Sequence, residues 1–215
     1  MKTIVFDLDG TLVDALPDFT DAMNRLMAVL DLPSVSPLEI AGYLGDGPRT
    51  LVERVLATRN RPMDEAAAAR FLADYTRHAA EGSRLFPGVI QTLTELAQRG
   101  WRLAVCTNKP AAATEILLKA LGIHGFFAAI SAGDSHPFKK PDPRHLLAAI
   151  QDAGAEPADA IMVGDHRNDV EAAAGAGVPS IFAGWGYGLP AMGLSATAVA
   201  TRFPDIVELV DSLRP

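Results

Sequence analysis

The stretch TIVFDLDGTLVD, Thr3 to Asp14, decides how the rest of the chain is read. Its opening, Thr3–Phe6, is a short apolar and β-branched run of the kind that forms a strand buried on both faces. It leads directly into two aspartates one residue apart and a glycine. Carboxylates delivered to the end of a buried strand must be paired or must hold a cation. In an extended segment residues i and i+2 share a face, so Asp7 and Asp9 are expected to point the same way while Leu8 packs opposite.

Four further runs read as strands of the same type: Arg102–Cys106, Phe127–Ser131, Ala160–Val163 and Ser180–Ala183. Helical patterns lie between them. One spans 88–99 and is closed by Gly100, and a second spans 111–121 and is closed by Gly122. A third spans 143–153, with Asp142 as N-cap and Pro143 in the first position, and a fourth spans 168–174. Alternation of strand and helix predicts an α/β fold, a Rossmann-like parallel sheet with helices on both faces. One connection breaks the rhythm. The first strand ends at Phe6 and the second opens at Arg102, far more chain than a crossover needs. The excess reads as all helix, with apolar residues at helical spacing over 17–30, 50–57 and 65–80 and a capping box at Ser36-Pro37-Leu38-Glu39. The chain is therefore expected to divide into a core, residues 1–14 and 83–215, and an inserted small α-helical cap, residues 15–82. By its position the cap sits over the carboxyl edge of the sheet, where such sheets bind ligands.

Composition narrows the function. The 215 residues carry a formal net charge of −7 with no basic stripe, so a nucleic-acid partner is excluded and an anionic ligand calls for a bridging cation. No apolar run approaches the ~18 residues of a membrane span and no leader precedes the first strand, which predicts a cytoplasmic protein with no membrane partner. A monomer or a homodimer is expected. Cys106 is the single cysteine; it cannot form an internal disulfide and reads as a small core residue. GYLGDGPR (42–49) lacks the Lys-Ser/Thr of a P-loop, and GWGYG (184–188) does not fit the dinucleotide pattern. DLDGTL fails as a calcium loop because Leu12 stands where glycine is required. No spacing among the histidines suggests zinc.

The chemistry gathers at the strand ends. The first ends in Asp7-Leu8-Asp9-Gly10-Thr11, the second in Thr107-Asn108-Lys109 and the fourth in Gly164-Asp165, with Asp169 four residues on. The loop after the third carries Lys139-Lys140-Pro141-Asp142, and only the last strand delivers no polar group. Asp7, Asp9 and Asp165 then supply converging hard oxygen donors suited to Mg²⁺, whose charge relieves their mutual repulsion and accepts phosphate oxygens. A lysine and a hydroxyl cradle the remaining oxygens, with Asn108 a further donor. A carboxylate in line with a clamped phosphorus can attack it, and a neighbouring acid can protonate the leaving alkoxide. Asp7 is the candidate nucleophile and Asp9 the candidate acid/base.

DLDGTLVD, VCTNKP, KKPDP and VGDHRND, in that order, resemble the four motifs of the haloacid-dehalogenase (HAD) superfamily of phosphatases. The resemblance implies a HAD-like core with a helical cap, Mg²⁺ as cofactor and an aspartyl-phosphate formed on Asp7. It implies that Asp9 is the acid/base, with its main-chain carbonyl also facing the metal. It assigns Thr107 to phosphate binding with Asn108 beside it, and Lys140 rather than Lys139 as the phosphate lysine. Asp165 becomes a direct metal ligand and Asp169 an outer one. Within the superfamily FDLDGTLVDALPDF, GDGPRTLVERVL, LFPGV and GWGYG are similar to phosphoglycolate phosphatases, which implies a small phosphate ester as substrate, 2-phosphoglycolate first. Ala15 and His166 depart from that pattern, and His166 stands at the rim of the site. Arg49 in the cap is a candidate for bidentate contact with a substrate carboxylate.

Other readings compete. A phosphatase or mutase for a sugar phosphate shares the site and differs in the cap. A phospho-accepting receiver domain uses similar groups, but nothing acidic of its site follows the lysine, whereas Asp165 here follows Lys140. A dehalogenase needs no second aspartate and no metal, so Asp9 argues against it.

Overall fold

The computed structural model describes residues 1–213. In chain order the strands are β1 (Thr3–Phe6), β2 (Val13–Asp14), β3 (Arg84–Leu85), β4 (Arg102–Cys106), β5 (Phe127–Ser131), β6 (Ala160–Gly164), β7 (Ser180–Ala183) and β8 (Ala198–Ala200). The helices are α1 (Leu16–Val29), α2 (Pro37–Ala41), α3 (Pro48–Ala57), α4 (Glu65–Arg77), α5 (Val89–Gln98), α6 (Ala111–Ala120), α7 (Pro143–Asp152), α8 (Arg167–Ala176) and α9 (Ile206–Ser212). Six strands form a sheet in the order β5-β4-β1-β6-β7-β8, every neighbouring pair parallel. The α/β sheet expected from the alternation of strand and helix is thus observed.

Strand periodicity splits the core into two layers. Ile4, Phe6, Leu103, Val105, Ile161 and Val163 face one side, where α5, α6 and α9 cover them. Val5, Ala104, Cys106, Ala160 and Met162 face the other, against α7 and α8. Cys106 is fully buried there and its thiol is pushed up to about 12 by burial, so it packs as a small apolar residue, as its place in an apolar run predicted.

β1 is central, and this placement makes the site. Phe6 pairs with Val105 on one side and Val163 on the other. Asp7 therefore emerges between the ends of β4 and β6, and its N–H donates to the Val163 carbonyl at 2.8 Å. Beyond it the chain tightens at once: the N–H groups of Thr11, Leu12 and Val13 all point to the Leu8 carbonyl. Gly10 turns this corner at φ +85, and any Cβ there would strike the Asp165 carboxylate. Leu8 is fully buried in the layer that includes Phe6.

Helices α1–α4 lie between β2 and β3, which pair antiparallel as the two-stranded link to the sheet. Asp18, in the first turn of α1, accepts from Gly82 N at 2.6 Å and Ser83 N at 3.0 Å and tethers the returning strand. Ser36 Oγ caps α2 by accepting from Glu39 N at 3.2 Å, as its spacing predicted. Phe19 and Tyr75 stack at 4.3 Å, and Phe71 stacks with Tyr75 at 5.9 Å. Burial of such rings contributes about 3–5 kcal/mol each against truncation to alanine.

Three features escaped the sequence reading. β8 has only three residues at the sheet edge, too few for alternation to register. β2 and β3 have two residues each, and α9 has seven. No helix among the described residues is long and apolar enough to cross a membrane.

Candidate active site

Three carboxylates, those of Asp7, Asp165 and Asp169, present oxygens within 4.8 Å of one another, and all three residues are buried. Lys140 binds two of them, Asp7 Oδ1 at 2.9 Å and Asp169 Oδ1 at 2.7 Å. Burial opposes the Lys140 ammonium, but the carboxylates of Asp169 and Asp7 outweigh it and raise its pKa, so it stays charged. One lysine cannot neutralise three acids. Burial, followed by repulsion from Asp7 and Asp169, pushes Asp165 up to about 8. Burial raises Asp169 to about 6 against the pull of Lys140. A buried set of hard oxygen donors short of positive charge fits a divalent cation such as Mg²⁺.

The backbone orients these acids. Asp165 follows β6 and accepts from Thr11 Oγ1 at 3.0 Å, Tyr187 N at 2.8 Å and Gly188 N at 3.3 Å. Asp169 closes a capping box at the start of α8, its Oδ2 accepting from His166 N at 2.9 Å, while Oδ1 takes Lys140. Capping and membership of the cluster coexist in this one residue. The end of β7, expected to contribute nothing polar, supplies Tyr187, and that expectation is corrected. The sequence signal was the glycine-rich GWGYG run: added Cβ atoms at Gly186 or Gly188 would collide with Asp165.

Asp9 stands apart from the cluster. Its carboxylate is held by Lys109 Nζ at 2.8 and 3.0 Å. The expected convergence of Asp7, Asp9 and Asp165 side chains is thus replaced by Asp7, Asp165 and Asp169, because the chain coils after Asp7 instead of staying extended. Burial raises the pKa of Asp9 against the opposing charge of Lys109. Burial lowers that of Lys109 against the pull of Asp9. Lys109 also bonds the Tyr75 hydroxyl, and its ammonium lies over the rings of Phe19 and Tyr75 at 4.7 and 4.6 Å. Lys109 and Tyr75 were missed by sequence reading; a lysine directly after Thr107-Asn108 was the available signal.

Thr107 is 2% exposed and lines the cavity beside Asp7. Asn108 lines it too, but its amide donates to Gly45 O at 2.9 Å and Lys140 O at 2.8 Å. Its side chain therefore fastens the inserted segment to the core rather than offering a donor to phosphate, contrary to expectation. Asn168 does the same from α8, donating to Gly45 O at 3.1 Å and Asp46 Oδ1 at 2.7 Å. The His166 ring packs where a Cβ of Gly45 would stand. Arg49 is not brought to the site: it is half exposed and paired with Glu65 and Glu53.

Two cavities meet at Asp7 and Asp9. One, about 40 Å³, is closed by Phe19, Leu51 and Tyr75 of the insert and by Thr107 and Lys109 of the core. The other, about 160 Å³, is lined by Asp165, His166, Tyr187 and Leu189. The arrangement can hold an anion against Asp7 and Lys140, neutralise it with a metal and supply a second, separately held acid beside it.

Comparison with known proteins agrees. Residues 1–177 match the haloacid dehalogenase-like hydrolase family. A phosphoglycolate phosphatase of Mesorhizobium japonicum is 41% identical over 86% of this chain and 83% of its own. One from Caulobacter vibrioides is 39% identical over 95% and 88%. The crystal structure of a predicted phosphoglycolate phosphatase from Haemophilus somnus superposes with a TM-score of 0.90 at 31% identity, covering 98% of each chain. The sheet order, the four motifs at its carboxyl edge and these relatives together make this chain a member of the haloacid dehalogenase-like hydrolase family.

Proposed function

We propose that the protein is a Mg²⁺-dependent phosphomonoesterase that acts on a small phosphate ester, 2-phosphoglycolate first, through an aspartyl-phosphate on Asp7. The observation that carries this reading is the separation of two acids: Asp7 joins Lys140 and the acidic cluster, while Asp9 next to it has its own lysine. Asp7, Asp165 and Asp169 would hold the metal, which supplies charge neutralisation to phosphate oxygens. An Asp7 oxygen attacks phosphorus, the ester P–O bond breaks, and Asp9 gives its proton to the departing alkoxide. Asp9 then takes a proton from water, which attacks the phosphorus of the acyl phosphate; the Asp7–phosphorus bond breaks and inorganic phosphate leaves. Lys140 keeps Asp7 aligned throughout. The choice of 2-phosphoglycolate draws on the relatives named above.

A panel of 2-phosphoglycolate, hexose phosphates and nucleotides tests the assignment with three proteins. The parent chain should prefer 2-phosphoglycolate and lose activity to a chelator. Asp7→Asn should release no phosphate, and Asp9→Asn should be slowed ~10²–10⁴-fold. Transfer between sugar hydroxyls instead of hydrolysis, or near-parental turnover by Asp7→Asn, would sink it.

A further inference from the structure

Lys109 is the cation that the cavity beside Asp9 presents, and the proposed chemistry uses it only to hold Asp9. We infer that its ammonium receives the carboxylate of the leaving group, and so makes the enzyme selective for phosphate esters of short hydroxy acids. The inference deepens the substrate reading above and rests on it.

Three observations carry it. First, among the charged residues lining the 40 Å³ cavity, Asp7 and Asp9 are acids and Lys109 is the sole base. Lys140 is engaged by Asp7 and Asp169, and Arg49 is turned to solvent against Glu65. No other positive side chain lines this space, and the Lys139 ammonium, behind Gly47, donates to the Asp46 carbonyl.

Second, Lys109 is held in place before any ligand arrives. It is 4% exposed, bonded to Asp9 and to the Tyr75 hydroxyl, and seated over the Phe19 and Tyr75 rings. Its three N–H donors meet Asp9 Oδ1, Asp9 Oδ2 and the Tyr75 hydroxyl, so an incoming carboxylate takes the place of one Asp9 oxygen on the ammonium. Besides Lys109 and its partner Tyr75, the side-chain donors of the lining are Thr107, assigned to phosphate, and Asn108, whose amide is taken by Gly45 and Lys140; Phe19, Leu44, Pro48, Leu51 and Pro110 are apolar.

Third, the spacing matches the chemistry. In 2-phosphoglycolate one methylene separates the ester oxygen from the carboxylate. Groups that serve those two sites must be immediate neighbours, and Asp9 and Lys109 touch at 2.8 Å. The cavity of about 40 Å³ that Lys109 lines accommodates a leaving group of a few heavy atoms, and anything larger must extend into the adjoining cavity of about 160 Å³. Tyr75 and Phe19 belong to the insert, so the charge-reading group is completed only when insert and core are together.

The experiment compares 2-phosphoglycolate with its isosteric, uncharged primary amide, on the parent chain and on Lys109→Gln. The parent should favour the acid strongly in kcat/KM. In Lys109→Gln the preference should collapse by about 10²-fold, through KM for the acid far more than through kcat for the amide. An unchanged acid-to-amide ratio in Lys109→Gln would overturn the role of Lys109 while leaving the substrate reading intact. A parent chain with no preference for the acid would overturn both together. Product inhibition of the parent chain gives a check that needs no variant: glycolate should inhibit at least ~10-fold more strongly than glycolamide. Equal inhibition by the two would refute the lysine's part.

Discussion

Asp165→Asn should make the metal-free protein more stable while abolishing its activity. The Asp165 carboxyl rises from 3.8 to about 8 in the folded chain because it is buried and faces Asp7 and Asp169. A folded pKa above the unfolded value gives stability that is complete below 3.8 and drains away as pH rises towards 8. At ~1.4 kcal/mol per pH unit the span gives a ceiling near 6 kcal/mol, and about 4 kcal/mol at pH 7. Asparagine does not titrate. It keeps one oxygen for Tyr187 N and Gly188 N, and its NH2 can donate to Thr11 Oγ1, which now accepts. Even ~2 kcal/mol of relief raises Tm by about 4–8 °C in a chain of this size. The assay is thermal unfolding in chelator from pH 5 to 9. The gap between the two proteins should be smallest at pH 5 and widen as pH rises. Millimolar Mg²⁺ should then close the gap by raising the parent, since a ligand at 100 times its Kd adds about 2.7 kcal/mol. Parallel Tm curves across the whole range would refute the idea that the three acids strain one another and await a cation.

The remaining expectations concern the insert. Asn168→Ala removes two bonds that hold Gly45 and Asp46 to the core, and should lower kcat/KM about 10-fold while speeding proteolysis of the 42–48 loop. Unchanged kinetics would show that this docking is dispensable. Arg49→Ala should leave kcat/KM within about 2-fold, because an exposed pair with Glu65 contributes at most about 1 kcal/mol. A KM change of 10-fold or more for 2-phosphoglycolate would return Arg49 to the site.

Much of the site is readable from local pattern, and the exceptions share a cause. Asp7, Thr107 and Asp165 lie at the ends of strands whose apolar runs are unmistakable and Lys140 lies in the loop after another, so topology brings them to one edge. Asp9 shows where that reasoning stops. Its alternation with Asp7 holds for an extended chain, but the turn onto the Leu8 carbonyl aims it at Lys109. Asn108 and Lys109 exchange importance for a similar reason. Either could have reached a ligand, and what decides between them is which of them the insert occupies: Gly45 takes the Asn108 amide, while Phe19 and Tyr75 enclose the lysine. Arg49 lies one residue beyond the cavity-lining Pro48, and the turn of α3 faces it outwards.

The order of apolar runs, the glycines between them and the acidic ends were enough to determine a parallel sheet, a helical insert after β1 and a phosphate chemistry at the carboxyl edge. These follow from burial and backbone geometry, which act over a few neighbouring residues. Which carboxylates lie together, which lysine meets Asp9 and how much room lies beside it were decided by tertiary structure alone. Those properties depend on distances between groups far apart in the chain, Asp9 and Lys109 or Asp7 and Asp169, that only the pairing of β1 with β4 and β6 and the course of the loops beyond them set.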